Sequence, residues 1–150
     1  MPNSDVIRSV IPHQGGMCLL ERVLDWDESR IRLTTATHRS LENPLRNGGR
    51  LRSVHLCEYG AQAMAVHGGL VARGSSVPRL LVSLRGVHLH VDDIDGLEGE
   101  LVVEAERLLD TGSSWHYSFR VLHGNRLLAE GRAAVMAATA RLPDAVPGRG

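Results

Sequence analysis

Residues 48–70, GGRLRSVHLCEYGAQAMAVHGGL, place a single carboxylate, Glu58, inside an otherwise apolar run of small residues. At 3.6 residues per turn, Val54, Cys57, Ala61, Met64 and Ala65 fall on one stripe, and His55, Glu58 and Gln62 on a neighbouring one at i, i+3, i+7. The three polar side chains can therefore share a face. Ser53 suits an N-cap and the Gly68-Gly69 pair suits a stop, so the spacing predicts a helix of about four turns. Gly60, Ala61, Ala63 and Ala65 carry almost no side chain, so another layer can approach this helix closely on more than one side. That suits a central helix wrapped by a sheet. A Glu held there would lose hydration, which favours its neutral form and makes it a candidate general acid near neutral pH. The competing reading is a solvated Glu on the outer stripe.

On either side of the helix the period changes to two. Residues 80–90 (LLVSLRGVHLH), 99–108 (GELVVEAERL), 114–122 (SWHYSFRVL) and 127–138 (LLAEGRAAVMAA) read as strands rich in Val, Leu and aromatics. His123-Gly124-Asn125 and Asp110-Thr111-Gly112-Ser113 are turn signals, so the last three strands are expected to form an antiparallel meander. Trp115, Tyr117, Phe119 and Val121 share one face and hold three of the five aromatic residues, as a core or an acyl pocket would require. Before the helix, residues 17–26 (MCLLERVLDW) and 30–37 (RIRLTTAT) read as two strands joined by Asp27-Glu28-Ser29. Residues 1–140 form one domain with no internal repeat, and the Pro- and Gly-rich residues 141–150 are expected to be a disordered tail. Two strands, one long helix and four strands define an α+β hot-dog fold, a strongly curved antiparallel sheet wrapped around a central helix.

Composition narrows the function. The 150 residues suit one domain with a full core, and 17 basic residues balance 17 acidic ones, which gives no general affinity for nucleic acid or membrane. Every basic residue is Arg, so Schiff-base chemistry and a P-loop lysine are excluded. Cys18 and Cys57 fit neither a disulfide framework nor a zinc knuckle and read as small buried hydrophobes in a reducing compartment. The first residues, MPNSDVIRSVIPH, lack a signal-peptide pattern, and no segment approaches the ~20 apolar residues that span a bilayer. A cytoplasmic location is the expectation.

Residues 11–23, IPHQGGMCLLERV, resemble the opening segment of hot-dog 3-hydroxyacyl-[acyl carrier protein] dehydratases, in which Leu-Pro-His precedes an apolar run ending in acid, Arg, Val. Glu58-Tyr59-Gly60-Ala61-Gln62-Ala63 resembles their central-helix motif. The closer likeness is to the dehydratase-like branch of aryl polyene and related polyketide-type lipid pathways, with Glu-Tyr-x-Ala-Gln. Residues 85–101 also echo the family's third strand and following turn. The resemblance implies reversible removal of water from a 3-hydroxyacyl thioester, with no cofactor beyond the phosphopantetheine that carries the substrate on acyl carrier protein or coenzyme A. It further implies a homodimer, a higher homo-oligomer or a heterodimer with another hot-dog protein, the two catalytic side chains coming from opposite subunits.

In that family a His abstracts the C2 proton, the helix Glu protonates the departing C3 hydroxyl, and backbone N–H groups near the helix start polarise the thioester carbonyl. Glu58 matches the acid. The family's histidine sits in the loop before the helix, ahead of Phe-Pro-Gly, where this chain has Glu42-Asn43-Pro44-Leu45-Arg46-Asn47-Gly48 and no histidine. His13, in the Pro-His motif, is the first substitute; His55, one turn before Glu58, and His38 are the others. Gln62, His55, Arg46 and Arg50 are candidate substrate-binding residues. Arg46, Arg50 and Arg52 cluster before the helix, where they could meet a phosphate or the acidic surface of a carrier protein, or form a solvated loop. His88-x-His90 with Asp92 and Asp93 supplies half a metal site at most, and no metal is expected. Two other functions stay open. One is a hot-dog thioesterase, with the helix carboxylate activating water or attacking the thioester; the other is a non-catalytic subunit completing a heteromeric dehydratase.

Overall fold

The computed structural model describes Ile7 and residues 18–72 and 79–138. Among the described residues six strands surround one long helix: β1 (Arg22–Trp26), β2 (Arg30–Thr35), α1 (Leu56–Val71), β3 (Arg79–Leu89), β4 (Leu101–Asp110), β5 (Ser114–His123) and β6 (Arg126–Ala137). They form a single sheet in the order β1-β2-β4-β5-β6-β3, with every neighbouring pair antiparallel. The helix packs on β4, β5, β2 and β6, which is the hot-dog arrangement. Strands β4, β5 and β6 form the expected meander. Gly124, at φ 60°, and Asn125 make the two-residue turn between the last two, where a positive φ matches the twist of the flanking strands.

The core forms where the alternation of β5 meets the helix. Trp115, Tyr117, Phe119 and Val121 are all buried, which assigns this face to the core, while His116 and Arg120 point outward. Phe119 lies between two glycines, Gly60 of the helix and Gly131 directly opposite it on β6. Near the other end of α1, His67 is fully buried: its Nδ1 accepts from the Tyr117 hydroxyl at 2.6 Å and its Nε2 donates to the Asp27 carbonyl at 2.8 Å. This imidazole ties the helix to both β5 and the β1–β2 turn. That turn is held by the Asp27 carboxylate, which accepts from the N–H and hydroxyl of Ser29 and the N–H of Arg30. Those bonds, the Ser29 N–H first, hold the Asp27 carboxyl below its ordinary pKa.

Several boundaries differ from the sequence reading. Ser53 opens a 3-10 turn, Ser53–His55, and makes no side-chain cap. The helix also runs through Gly68-Gly69 to Val71, and the Ala72 N–H still bonds the Gly68 carbonyl at 3.0 Å. Glycine in a helix costs about 1 kcal/mol; here burial of Val66, His67 and the glycines themselves outweighs it. The apolar stripe is turned as well. Val54 is 53% exposed and Cys57, Ala61 and Ala65 are half-buried, whereas Tyr59, Gly60, Ala63, Met64 and His67 face the sheet. Residues 18–20 lie in the core as irregular chain, so the first strand begins only at Arg22. The second strand ends at Thr35 in a 3-10 turn, Thr37–Arg39, and β4 is displaced toward Asp110. The expected tail at 141–150 lies outside the described residues. No helix among the described residues is long and apolar enough to cross a membrane.

Candidate active site

Glu58 stands in the first turn of α1, where a carboxylate is favoured by the unpaired N–H groups and the helix dipole. Its side chain is half-buried in the single chain, on the helix face that the sheet leaves open, and not fully enclosed beneath it. One turn on, the Gln62 Nε2 donates to Glu58 Oε2 at 3.2 Å. Gln62 is completely buried, and its other polar atom, Oε1, accepts from the Leu19 N–H at 2.8 Å. One amide thus joins the helix motif to the chain that follows the Pro-His motif. Both amide atoms of Gln62 thus have protein partners.

The Leu19 carbonyl is held as firmly as its N–H, accepting from the hydroxyls of Thr35 and Thr37 at 2.6 Å each. With both threonine protons placed there, the Tyr59 hydroxyl donates to Thr37 Oγ1 at 3.0 Å and accepts from Asn43 Nδ2 at 3.1 Å. Asn43 Nδ2 also reaches the Thr37 carbonyl at 2.9 Å. Burial pushes the Tyr59 phenol above its ordinary pKa, so it remains a neutral donor. The sequence reading missed this network. Its signals were present in Tyr59, the residue after Glu58 in the helix motif, and in Asn43, within the loop segment that lacks the family's histidine.

Helix and loops are locked together around the site. The Ser53 N–H donates to the Asp92 carbonyl at 2.8 Å, and Leu51 N–H donates to Asp95 Oδ1 at 3.0 Å. The arginines before the helix serve the same closure. Arg46 donates to three carbonyls, Ser40 and Gly49 at 2.6 Å and His38 at 3.1 Å, which draws the loop around its guanidinium. Arg50 pairs with Asp93 and lies 3.8 Å from Asp95, while Arg52 lies 3.5 Å from Asp93. The expected cationic cluster is therefore divided between backbone carbonyls and the acids after β3.

The histidines separate clearly. His13 lies outside the described residues. His55 is half-buried at the helix start, and its ring makes no hydrogen bond among the described residues. His38 is fully buried, with Nε2 on the Leu97 carbonyl at 2.8 Å and Nδ1 without a hydrogen-bond partner among the described residues. It is a lock between two loops. His88 and His90 stack at a ring separation of 6.4 Å, and His90 Nε2 lies 3.1 Å from Glu130 Oε2. Among the described residues no cluster of three His, Cys, Asp or Glu side chains forms around them.

Burial holds the His38 imidazole below its ordinary pKa of 6.5, while the bond to Leu97 works the other way. The unfolded chain takes up this proton near 6.5 and the folded chain only at lower pH. Below that point the unfolded state binds more protons, and stability falls with pH. Urea melts are expected to lose midpoint as pH drops from about 7 toward 5.5. His38→Gln, whose amide can still donate to Leu97, should flatten that profile; equal slopes in the two proteins would refute the assignment.

A curled antiparallel sheet on one helix, with a carboxylate in the helix's first turn, defines a hot-dog protein. The family model for ApeP-like proteins, ApeP dehydratase, matches residues 6–145, and the chain belongs to that family. The dehydratase heterocomplex ApeI:P from Xenorhabdus doucetiae is one similar structure, at 20% identity over 87% of this chain and 90% of that one, with a TM-score of 0.79. Zebra fish thioesterase superfamily member 2 is another, at 15% identity over 89% of this chain and 94% of that one, with a TM-score of 0.65. No curated protein sequence matches.

Proposed function

We propose that the protein is a subunit of a 3-hydroxyacyl thioester dehydratase, with Glu58 as the general acid. The observation that carries this reading is the Gln62 amide, which holds Glu58 with one atom and Leu19 with the other. His13 stands six residues before Leu19, so the Pro-His motif leads into the chain that Gln62 anchors beside the carboxylate. In the forward reaction a base, for which His13 is the first candidate and His55 the second, takes the C2 proton. Electron density moves into the thioester carbonyl, and N–H groups at the helix start stabilise it there. Glu58 then gives its proton to the C3 hydroxyl, which leaves as water, and a trans-2-enoyl thioester remains. The C2–H and C3–O bonds break, the C2=C3 bond forms and nothing is oxidised or reduced overall, so the reaction calls for no cofactor beyond the phosphopantetheine of an acyl carrier protein or coenzyme A.

A second hot-dog subunit belongs to the same reading. Strand β3 is an edge strand of 11 residues, and Leu80, Leu81, Val82, Leu84 and Leu89 on it are all at least 39% exposed. An apolar edge of this length is a surface for pairing with another strand, which a second subunit would supply. Beside Glu58, the half-open helix face of Val54, Cys57, Ala61 and Ala65 offers a further surface for that subunit. The ApeI:P heterocomplex favours a partner that is a different hot-dog protein, one able to contribute the base.

Hydration of a trans-2-enoyl thioester by the purified chain, alone and with an added hot-dog subunit, tests this reading. Loss of the enoyl absorbance without release of free thiol is expected, with the partner either required or strongly accelerating. Thiol release would identify a thioesterase. No hydration under either condition would overturn the proposal.

A further inference from the structure

The outer face of the sheet, away from α1, carries a charge pattern that the reaction does not use. Register places Arg32, Glu104, Arg120, Glu130 and His88 side by side across β2, β4, β5, β6 and β3. Basic and acidic groups alternate along that row, and Arg120 bonds Glu104 at 2.9 Å. The next row begins in the same way, Arg30 then Glu106, but continues with Ser118, Arg132 and Arg85. Two arginines thus pair across β6 and β3, and neither side chain makes a hydrogen bond or ion pair among the described residues. Like charges in that position destabilise a sheet.

The local backbone is shaped around this pair. The β3–β6 register shifts on both sides of Arg85, between Leu81 and Ser83 and between Arg85 and His88, and Gly86 takes φ 58° in the second irregularity. Bulges of this kind re-aim side chains. Here they border a groove of about 820 Å³, lined by Ser83, Arg85, His88, His116, Ser118 and Arg132 among others. Among the described residues Glu130 is the one carboxylate in its wall, and it already faces His90 and Arg120. Leu108 and Leu109, 49% and 52% exposed, form an apolar ledge on the same groove.

We propose that this groove is a binding site for a phosphate group, held between Arg85 and Arg132 with the hydroxyls of Ser83 and Ser118 as further donors. Facing cross-strand residues bring their Cβ atoms to about 5 Å, so both guanidiniums can close on one tetrahedral anion. A dianion neutralises the pair, and guanidinium binds phosphate oxygens in bidentate fashion. The site is separate from Glu58, because the groove is lined by β3, β4, β5 and β6 and by no residue of the helix among those described. A strand added at the free edge of β3 leaves this face open, since side chains stand perpendicular to the sheet.

Titration calorimetry and thermal melting of the full chain with inorganic phosphate and with AMP, at constant ionic strength, test the site. Phosphate is expected to bind and raise Tm. Arg85→Gln and Arg132→Gln should each weaken binding at least about tenfold, the loss of one charge-assisted contact. Without phosphate the same variants should melt at or above the parent temperature, because the repulsion is gone. A merely structural role would lower Tm in both conditions. Tighter binding of AMP than of phosphate identifies a nucleotide as the source of the group, and equal binding identifies the free anion. If the parent and the double variant respond identically to phosphate and to AMP, the site does not exist.

Discussion

Glu58→Gln is expected to lower the rate of enoyl-thioester hydration by at least about 10²-fold, the lower end of what a positioned general acid or base contributes. In hydration, Glu58 must be ionised to take a proton from the water that adds at C3; in dehydration it must be protonated to release that water. A glutamine amide can do neither. The substitution nevertheless keeps the local structure, because the new Oε1 still accepts from Gln62 Nε2 and Gln62 still holds the Leu19 N–H. Stability should therefore change by no more than about 0.5 kcal/mol, as for other changes at half-open positions. Because hydration and dehydration share one transition state, both directions must fall by the same factor. Turnover at the parental rate, measured in the competent assembly, would remove Glu58 from the reaction. A fall in rate accompanied by a large fall in melting temperature would instead give Glu58 a structural task.

How far the sequence reaches is set by the distance over which each residue finds its partner. Alternation along β5 is a local signal, and its buried face of Trp115, Tyr117, Phe119 and Val121 was legible in full. Glu58 and Gln62 were legible as neighbours because they are one helical turn apart. Of the apolar stripe Val54, Cys57, Ala61, Met64 and Ala65 only Met64 is buried, and the sheet lies against Gly60, Ala63 and His67 as well. Closeness of approach decides that packing, and so does the satisfaction of His67 by groups 50 and 40 residues away. The small residues announce a close approach without saying on which side, and the partners of His67 leave no trace in the helix. The arginines show the same limit. Arg46, Arg50 and Arg52 read as a free cationic cluster because carbonyls become partners only once a loop has folded, and Asp93 stands 43 residues from Arg50. In the same way, the sequence offers Gln62 as a candidate substrate ligand and gives no sign of its bond to Leu19, 43 residues distant.

Gly60→Val is expected to destabilise the fold by about 3 kcal/mol, the upper range for overpacking a full core. A Cβ at Gly60 would lie 2.5 Å from Phe119 Cδ1 and 2.7 Å from Cγ, far inside contact distance. The ring cannot retreat. On its other side a Cβ at Gly131 would meet Phe119 Cε2 at 2.9 Å and Val87 Cγ2 at 3.1 Å, so the ring occupies the space of both glycines. The helix must then move off the sheet, and Glu58, two residues from Gly60, moves with it. For a domain of this size the loss corresponds to a fall in Tm of about 6–12 °C. Phe119→Ala should cost about as much by the opposite route, at 3–5 kcal/mol for an unfilled aromatic site. The decisive measurement is the double variant, Gly60→Val with Phe119→Leu, because leucine vacates the volume that the valine enters. If the glycine exists to admit the ring, the two changes are strongly coupled, and the double variant melts at least about 1 kcal/mol more stably than the sum of the singles requires. Simple additivity would mean that Gly60 and Phe119 do not constrain each other, and that another contact sets the distance between helix and sheet.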